Sequence, residues 1–107
     1  MKLLTSEIIK KLEKYPLYSQ DKKEKKEVIV KFFGGGSWTW YVVEGNKMEN
    51  GDWEFFGYVK GIEDEWGYFT LSELQSIKFP PFNLGIERDM YFGKQYIDID
   101  GNLSKVA

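Results

Sequence analysis

Residues 37–74 read SWTWYVVEGNKMENGDWEFFGYVKGIEDEWGYFTLSEL, and the alternation inside this stretch decides the fold. All four tryptophans of the chain lie here, with three of the seven tyrosines. Successive side chains of a strand point to opposite faces. Over residues 37–44, Trp38, Trp40 and Val42 therefore share one face, and Thr39, Tyr41 and Val43 the other. Residues 45–52 are a turn region containing Asn50-Gly51, the usual tight-hairpin dipeptide. Over 53–60, Trp53, Phe55 and Val59 share a face with Gly57 between them. Glu54, Phe56, Tyr58 and Lys60 share the opposite one. The two strands together make a sheet that is apolar on one side and mixed aromatic-polar on the other.

The same stretch ends in an acidic turn, 62–66, and a short strand, 67–69. Thr70 then caps a helix over 71–77. Thr70 with Glu73 fits a capping box, and Phe69 with Leu74 its hydrophobic staple. Phe79-Pro80-Pro81-Phe82 stops that helix in a stiff loop.

Upstream, residues 3–15 predict a first helix. Thr5 is its N-cap, Leu4 and Ile9 its staple, and Ile8, Leu12 and Tyr15 its apolar stripe. Pro16 ends it. The polar run 18–27 is a solvated, mobile connection, or else a contact for an anionic partner. Residues 27–33 form a strand with Val28, Val30 and Phe32 on one face. Gly34-Gly35-Gly36 leads into another strand, so it lacks the following helix that a phosphate-binding loop needs and reads as a hairpin loop.

Downstream, residues 86–92 read as a last main strand. Arg88, the only arginine, is flanked there by Glu87 and Asp89. A structural role for it is favoured over a bidentate anion clamp, because acids already surround it. In the tail, Asp98, Asp100 and Asn102 alternate like the start of a calcium loop. The glycine is misplaced and no glutamate stands at the twelfth position, so an edge strand and turn explain the tail better.

These elements predict an α+β domain: a mainly antiparallel sheet of four or five strands with two short helices packed on one face. At 107 residues it is a single domain, 1–107. The 18% aromatic content supports a real core. Trp38, Trp40, Trp53 and Phe55 are expected under the helices. The opposite face, with Tyr41, Phe56 and Tyr58, is the candidate interaction surface, unless loops or the C-terminal segment cover it.

Composition narrows the chemistry. There is no cysteine and no histidine, which removes disulfides, thiolate nucleophiles, serine triads and ordinary zinc sites. No cofactor is expected. Residues 1–31 carry nine lysines against five acids, whereas residues 32–107 carry six basic residues against twelve acids. An acidic body disfavours a duplex-DNA footprint. The N-terminus is too short and polar for a signal peptide and no apolar run approaches spanning length, so a cytoplasmic protein without membrane contact is expected.

The runs LLT, PLYS, KFF, SWTWY, GDW-FFGYV-G, GYF-LSEL-SI and ERD-YF, in this order and spacing, resemble a bacterial family catalogued as domain of unknown function 2958. The resemblance covers residues 3–92 and leaves 93–107 as a variable tail. It implies a small accessory protein of plasmids, phages and integrative elements, whose genes lie beside those for mobility and antirestriction. It carries over no catalytic residue.

Three functional expectations follow. The first is a non-enzymatic module that binds a host protein, in concrete form a defence nuclease, through Tyr41, Phe56, Tyr58 and the Glu63, Asp64, Glu65 turn, with Arg88 as a further binding residue. The second is single-stranded nucleic-acid binding by stacking on the same aromatics, with Lys31 and Lys60 meeting phosphates. The third and weakest is a magnesium-dependent enzyme using Glu44, Glu87 and Asp89, which nothing in the spacing brings together.

Overall fold

Apolar residues that alternate on two adjacent strands must be covered by something else, and here two helices cover one face and the C-terminal tail the centre of the other. The computed structural model describes residues 1–107. In chain order the elements are α1 (Ser6–Glu13), β1 (Lys26–Glu27), β2 (Val30–Gly34), β3 (Trp38–Lys47), β4 (Trp53–Lys60), β5 (Asp64–Thr70), α2 (Leu71–Ser76), β6 (Lys78–Phe79), β7 (Leu84–Gly85), β8 (Glu87–Arg88), β9 (Tyr96–Ile97) and β10 (Leu103–Ser104). The main sheet is antiparallel with strand order β5-β4-β3-β2-β8. A small sheet, β1-β9-β10, and a hairpin, β6-β7, flank it.

Both helices lie on the first face of the main sheet. Leu12 of α1 and Leu74 of α2 join Trp40, Val42, Trp53, Phe55 and Phe69 in the larger core. Both predicted caps form: Thr5 Oγ1 accepts from the Ile8 amide at 3.3 Å, and Thr70 Oγ1 from the Glu73 amide at 3.2 Å. The helices are shorter than predicted. α1 begins at Ser6, and Leu3 and Leu4 are buried ahead of it.

The predicted strand 27–33 is split. Val28 donates its amide to the Gln95 carbonyl in the small sheet, while the next amide, Ile29, bonds the Val42 carbonyl in the main sheet. The chain changes partner between the two. Val28 thus enters the second core with Tyr41 and Val43, whereas Ile29, Val30 and Phe32 enter the first. Simple alternation had placed Val28 and Val30 together.

Three further expectations are corrected. The polar run 18–27 is a tightly bonded loop rather than a mobile one. The fully buried Gln20 side chain donates to the Glu27 carbonyl at 2.9 Å and the Val43 carbonyl at 2.8 Å, and accepts from the Glu27 amide at 2.7 Å. The Lys26 ammonium closes the loop on the carbonyls of Gln20, Asp21 and Lys23. The acidic turn is instead the start of β5, which takes in Asp64 and Glu65. The last main strand shrinks to β8, because the chain leaves the sheet after Asp89.

The tail is structural. Ile97 is fully buried against Tyr41, Val43 and Tyr58. The Asp98 carboxylate accepts from the Asp100 and Asn102 amides, both at 2.9 Å, and from Asn102 Nδ2. These bonds shape the turn between β9 and β10 and hold the Asp98 pKa below its ordinary value. The second face of the sheet is therefore covered over its centre. No helix is long and apolar enough to cross a membrane.

Candidate functional site

Tyr41 and Tyr58, two of the residues expected to form an exposed aromatic surface, are buried. They face each other across β3 and β4 at 6% and 7% exposure. The Tyr58 hydroxyl donates to the Asp100 carbonyl at 3.3 Å, and Gly101 packs on its ring so closely that a Cβ there would overlap it. Burial, and then the nearby Asp64 and Asp100, raise the Tyr58 pKa above its ordinary value. Tyr41 lies against Phe92, with ring centroids 6.3 Å apart. The Lys31 and Lys60 ammonium groups sit 5.8 and 5.6 Å from the Tyr41 ring. Neither ring offers a stacking platform to a partner. Lys31 is further engaged by Asp89 at 3.4 Å.

Arg88 stands apart from the acidic residues. It is on β8, at the opposite edge of the main sheet from Glu63, Asp64 and Glu65. Its guanidinium donates to the Lys2 carbonyl, and its amide contacts Met1 Sδ. The residue ties down the N-terminus. The carboxylates considered for metal chemistry do not form a cluster that could hold a metal ion. Glu44 is buried and accepts from the Tyr18 and Gln20 amides at 2.8 and 2.7 Å, whereas Asp89 pairs with Lys31.

The residues that remain accessible gather on β5. Register places Trp66 opposite Tyr58 and Tyr68 opposite Phe56, so Asp64, Trp66 and Tyr68 share the second face. Phe56 stacks on Trp66, with centroids 5.4 Å apart and planes inclined by 17°, and tilts against Tyr68 at 4.9 Å. Tyr68 is half-exposed, and Tyr18 is more exposed still. The Tyr18 side chain beside the Tyr68 hydroxyl, followed by partial burial, raises the Tyr68 pKa above its ordinary 10.0. Glu63, Asp64 and Glu65 are all exposed, and none is in an ion pair. Along this strip at the margin of the sheet Asp64 adjoins the rings on the second face, Glu63 precedes the strand, and Glu65 projects from the opposite face.

Sequence reasoning had not placed Trp66, Tyr68 and Tyr18 in this strip. The alternation Asp64, Trp66, Tyr68 was present, but ending the acidic turn at residue 66 hid it. Tyr18 had no local signal. It reaches the strip because its backbone is left-handed, at φ 74°, in the loop held by Glu44.

Beside the strip is a cleft of about 510 Å³ between loop residues 21–26 and the turn 98–100, with Trp66 in its wall. Four lysines line it, opposed by Asp21, Glu24, Asp98 and Asp100. That balance gives it no net pull on a phosphodiester. The Trp66 indole N–H donates to the Ile99 carbonyl at 2.9 Å, which locks the ring in place.

A family model described as a protein of unknown function, DUF2958, matches residues 3–99. The chain belongs to this family. The match runs beyond Phe92, the point at which the shared motifs stop, and takes in Ile97, which is buried on the second face. DUF2958 thus includes part of the segment that covers Tyr41 and Tyr58. Searches of curated proteins and of solved structures found no match.

Proposed function

We propose that this DUF2958 chain is a non-enzymatic module that binds a protein partner through the strip of Tyr18, Phe56, Trp66 and Tyr68 together with Glu63, Asp64 and Glu65. One observation carries the reading: three exposed carboxylates without ion-pair partners lie along the sheet margin that bears a cluster of large rings, with Asp64 on the same face as the rings. Amphipathic aromatics are enriched at binding surfaces, and unpaired charge beside them steers a partner of opposite sign. In the setting that the family resemblance implies, a plasmid, phage or integrative element, the partner is a basic cytoplasmic protein of the host. The concrete form is a defence nuclease whose phosphate groove the carboxylates occupy.

Nucleic-acid stacking is the weaker reading. The rings it invoked at Tyr41 and Tyr58 are buried, and Trp66 is pinned by Ile99.

The test is affinity capture from nuclease-treated host lysate with the wild type and a Glu63→Lys/Asp64→Lys/Glu65→Lys variant. A protein retained by the wild type, lost with the variant and released by salt is the expected outcome. Capture of nucleic acid alone, or of the same proteins by both baits, would overturn the proposal.

A further inference from the structure

The two edges of the main sheet are treated differently. At one edge, β8 is only two residues long, and Met1 and Lys2 lie over Arg88. At the other, β5 pairs with β4 over seven consecutive residues with no register shift. No backbone group of residues 63–69 hydrogen-bonds outside that ladder. Proteins ordinarily blunt such an edge with proline, charged side chains (lysine above all), a bulge or a covering segment. Residues 64–70, DEWGYFT, contain no proline, lysine or bulge, and their two charges, Asp64 and Glu65, are both acidic and sit at one end.

We infer that β5 takes its partner by strand addition: an extended segment of a foreign protein pairs along Asp64–Thr70, with cationic side chains on one face and β-branched ones on the other. This deepens the protein-binding reading above and rests on it. The chemistry of the segment follows from the two faces of β5. The face of Asp64, Trp66 and Tyr68 offers a carboxylate and two rings, each of which attracts a cation. On the opposite face, between Glu65 and Phe69, a Cβ at Gly67 would meet nothing within 4 Å. A β-branched side chain on an added strand fills that space. Main-chain bonds then supply affinity, and alternate side chains supply selectivity. A second copy of this chain is a poorer occupant. Its own β5 has no lysine or arginine, so self-pairing leaves Glu63, Asp64 and Glu65 without counter-charge.

The test uses a capped heptapeptide alternating lysine and valine, and the same peptide with every backbone nitrogen methylated. Both keep the charge and side chains, but only the first can donate to a strand edge. Binding is read by anisotropy of the labelled peptide, and its position by hydrogen exchange of the full-length protein. The parent peptide binds and slows exchange in β5, and both methylation and Asp64→Lys weaken binding at least tenfold. Equal binding of the two peptides overturns strand addition, as does binding of neither or protection elsewhere. A β5-mediated dimer that the peptide cannot dissociate also overturns it. Lysate capture reports whether the acidic strip binds protein at all. Acid-dependent capture without peptide pairing removes this inference and leaves that reading intact.

Discussion

Gly57 and Gly67 face each other across β4 and β5, and they are glycine for different reasons. A Cβ at Gly57 would overlap the Tyr41 carbonyl, next to the register shift between Val42 and Glu44. A Cβ at Gly67 meets open space. Gly57→Ala is therefore expected to destabilise the fold by about 3 kcal/mol, as overpacking against backbone does. Gly67→Ala should stabilise it by about 0.5–1 kcal/mol, because a strand glycine carries excess unfolded-state entropy. Urea unfolding of both variants measures the contrast. A second residue with a sharp consequence is Glu27, which lies between Lys11 Nζ at 2.7 Å and the Tyr15 hydroxyl at 3.0 Å. Burial raises its pKa, but the bonds from Lys11 and Tyr15 outweigh that and hold it below the ordinary 4.5. A carboxyl depressed in the folded state stabilises above its unfolded pKa and loses that contribution as pH falls through the folded value. Stability should thus decline as pH drops below 4.5, and Glu27→Gln should flatten this decline in urea titrations at stepped pH.

At the scale of elements, the loop 17–25 depends on one buried amide. Gln20 satisfies both the N–H and the C=O of Glu27 and the Val43 carbonyl. Removing it orphans three buried backbone groups, so Gln20→Ala should cost about 3 kcal/mol. Chemical denaturation of the variant checks this. A loss below about 1 kcal/mol would mean that the loop is as loose as its composition suggests. Local elements were legible because their signals are local. Thr5 and Thr70 cap as read, and the alternation of β3 and β4 sorts their side chains onto the two faces. The loop was not legible, because lysine-rich composition says nothing of a glutamine whose amide matches groups on two other strands. The split between Val28 and Ile29 was hidden for a related reason. It depends on Gln95, far along the chain, as the partner of Val28.

At the scale of the molecule, the pairing of Lys26 with Ile97 decides which part of the second face stays accessible. That pairing brings the tail over Tyr41 and Tyr58, turns the middle of the second face into core, and leaves the aromatic strip at the β5 margin. Of the seven binding residues read from the sequence, Phe56 and the three acids remain accessible in part or in full. Tyr41 and Tyr58 were misplaced because their burial depends on a tail whose sequence, DIDGNLSK, looks like solvent-exposed turn. Residue-resolved hydrogen exchange of the free protein tests this arrangement most directly. Edge groups open at little cost, whereas core amides exchange only through large unfolding events. Every second amide from Asp64 to Phe69 should exchange orders of magnitude faster than those of Tyr41, Val42 and Tyr58. Uniform protection along β5, or rapid exchange at Tyr41 and Tyr58, would contradict a bare edge beside a covered face.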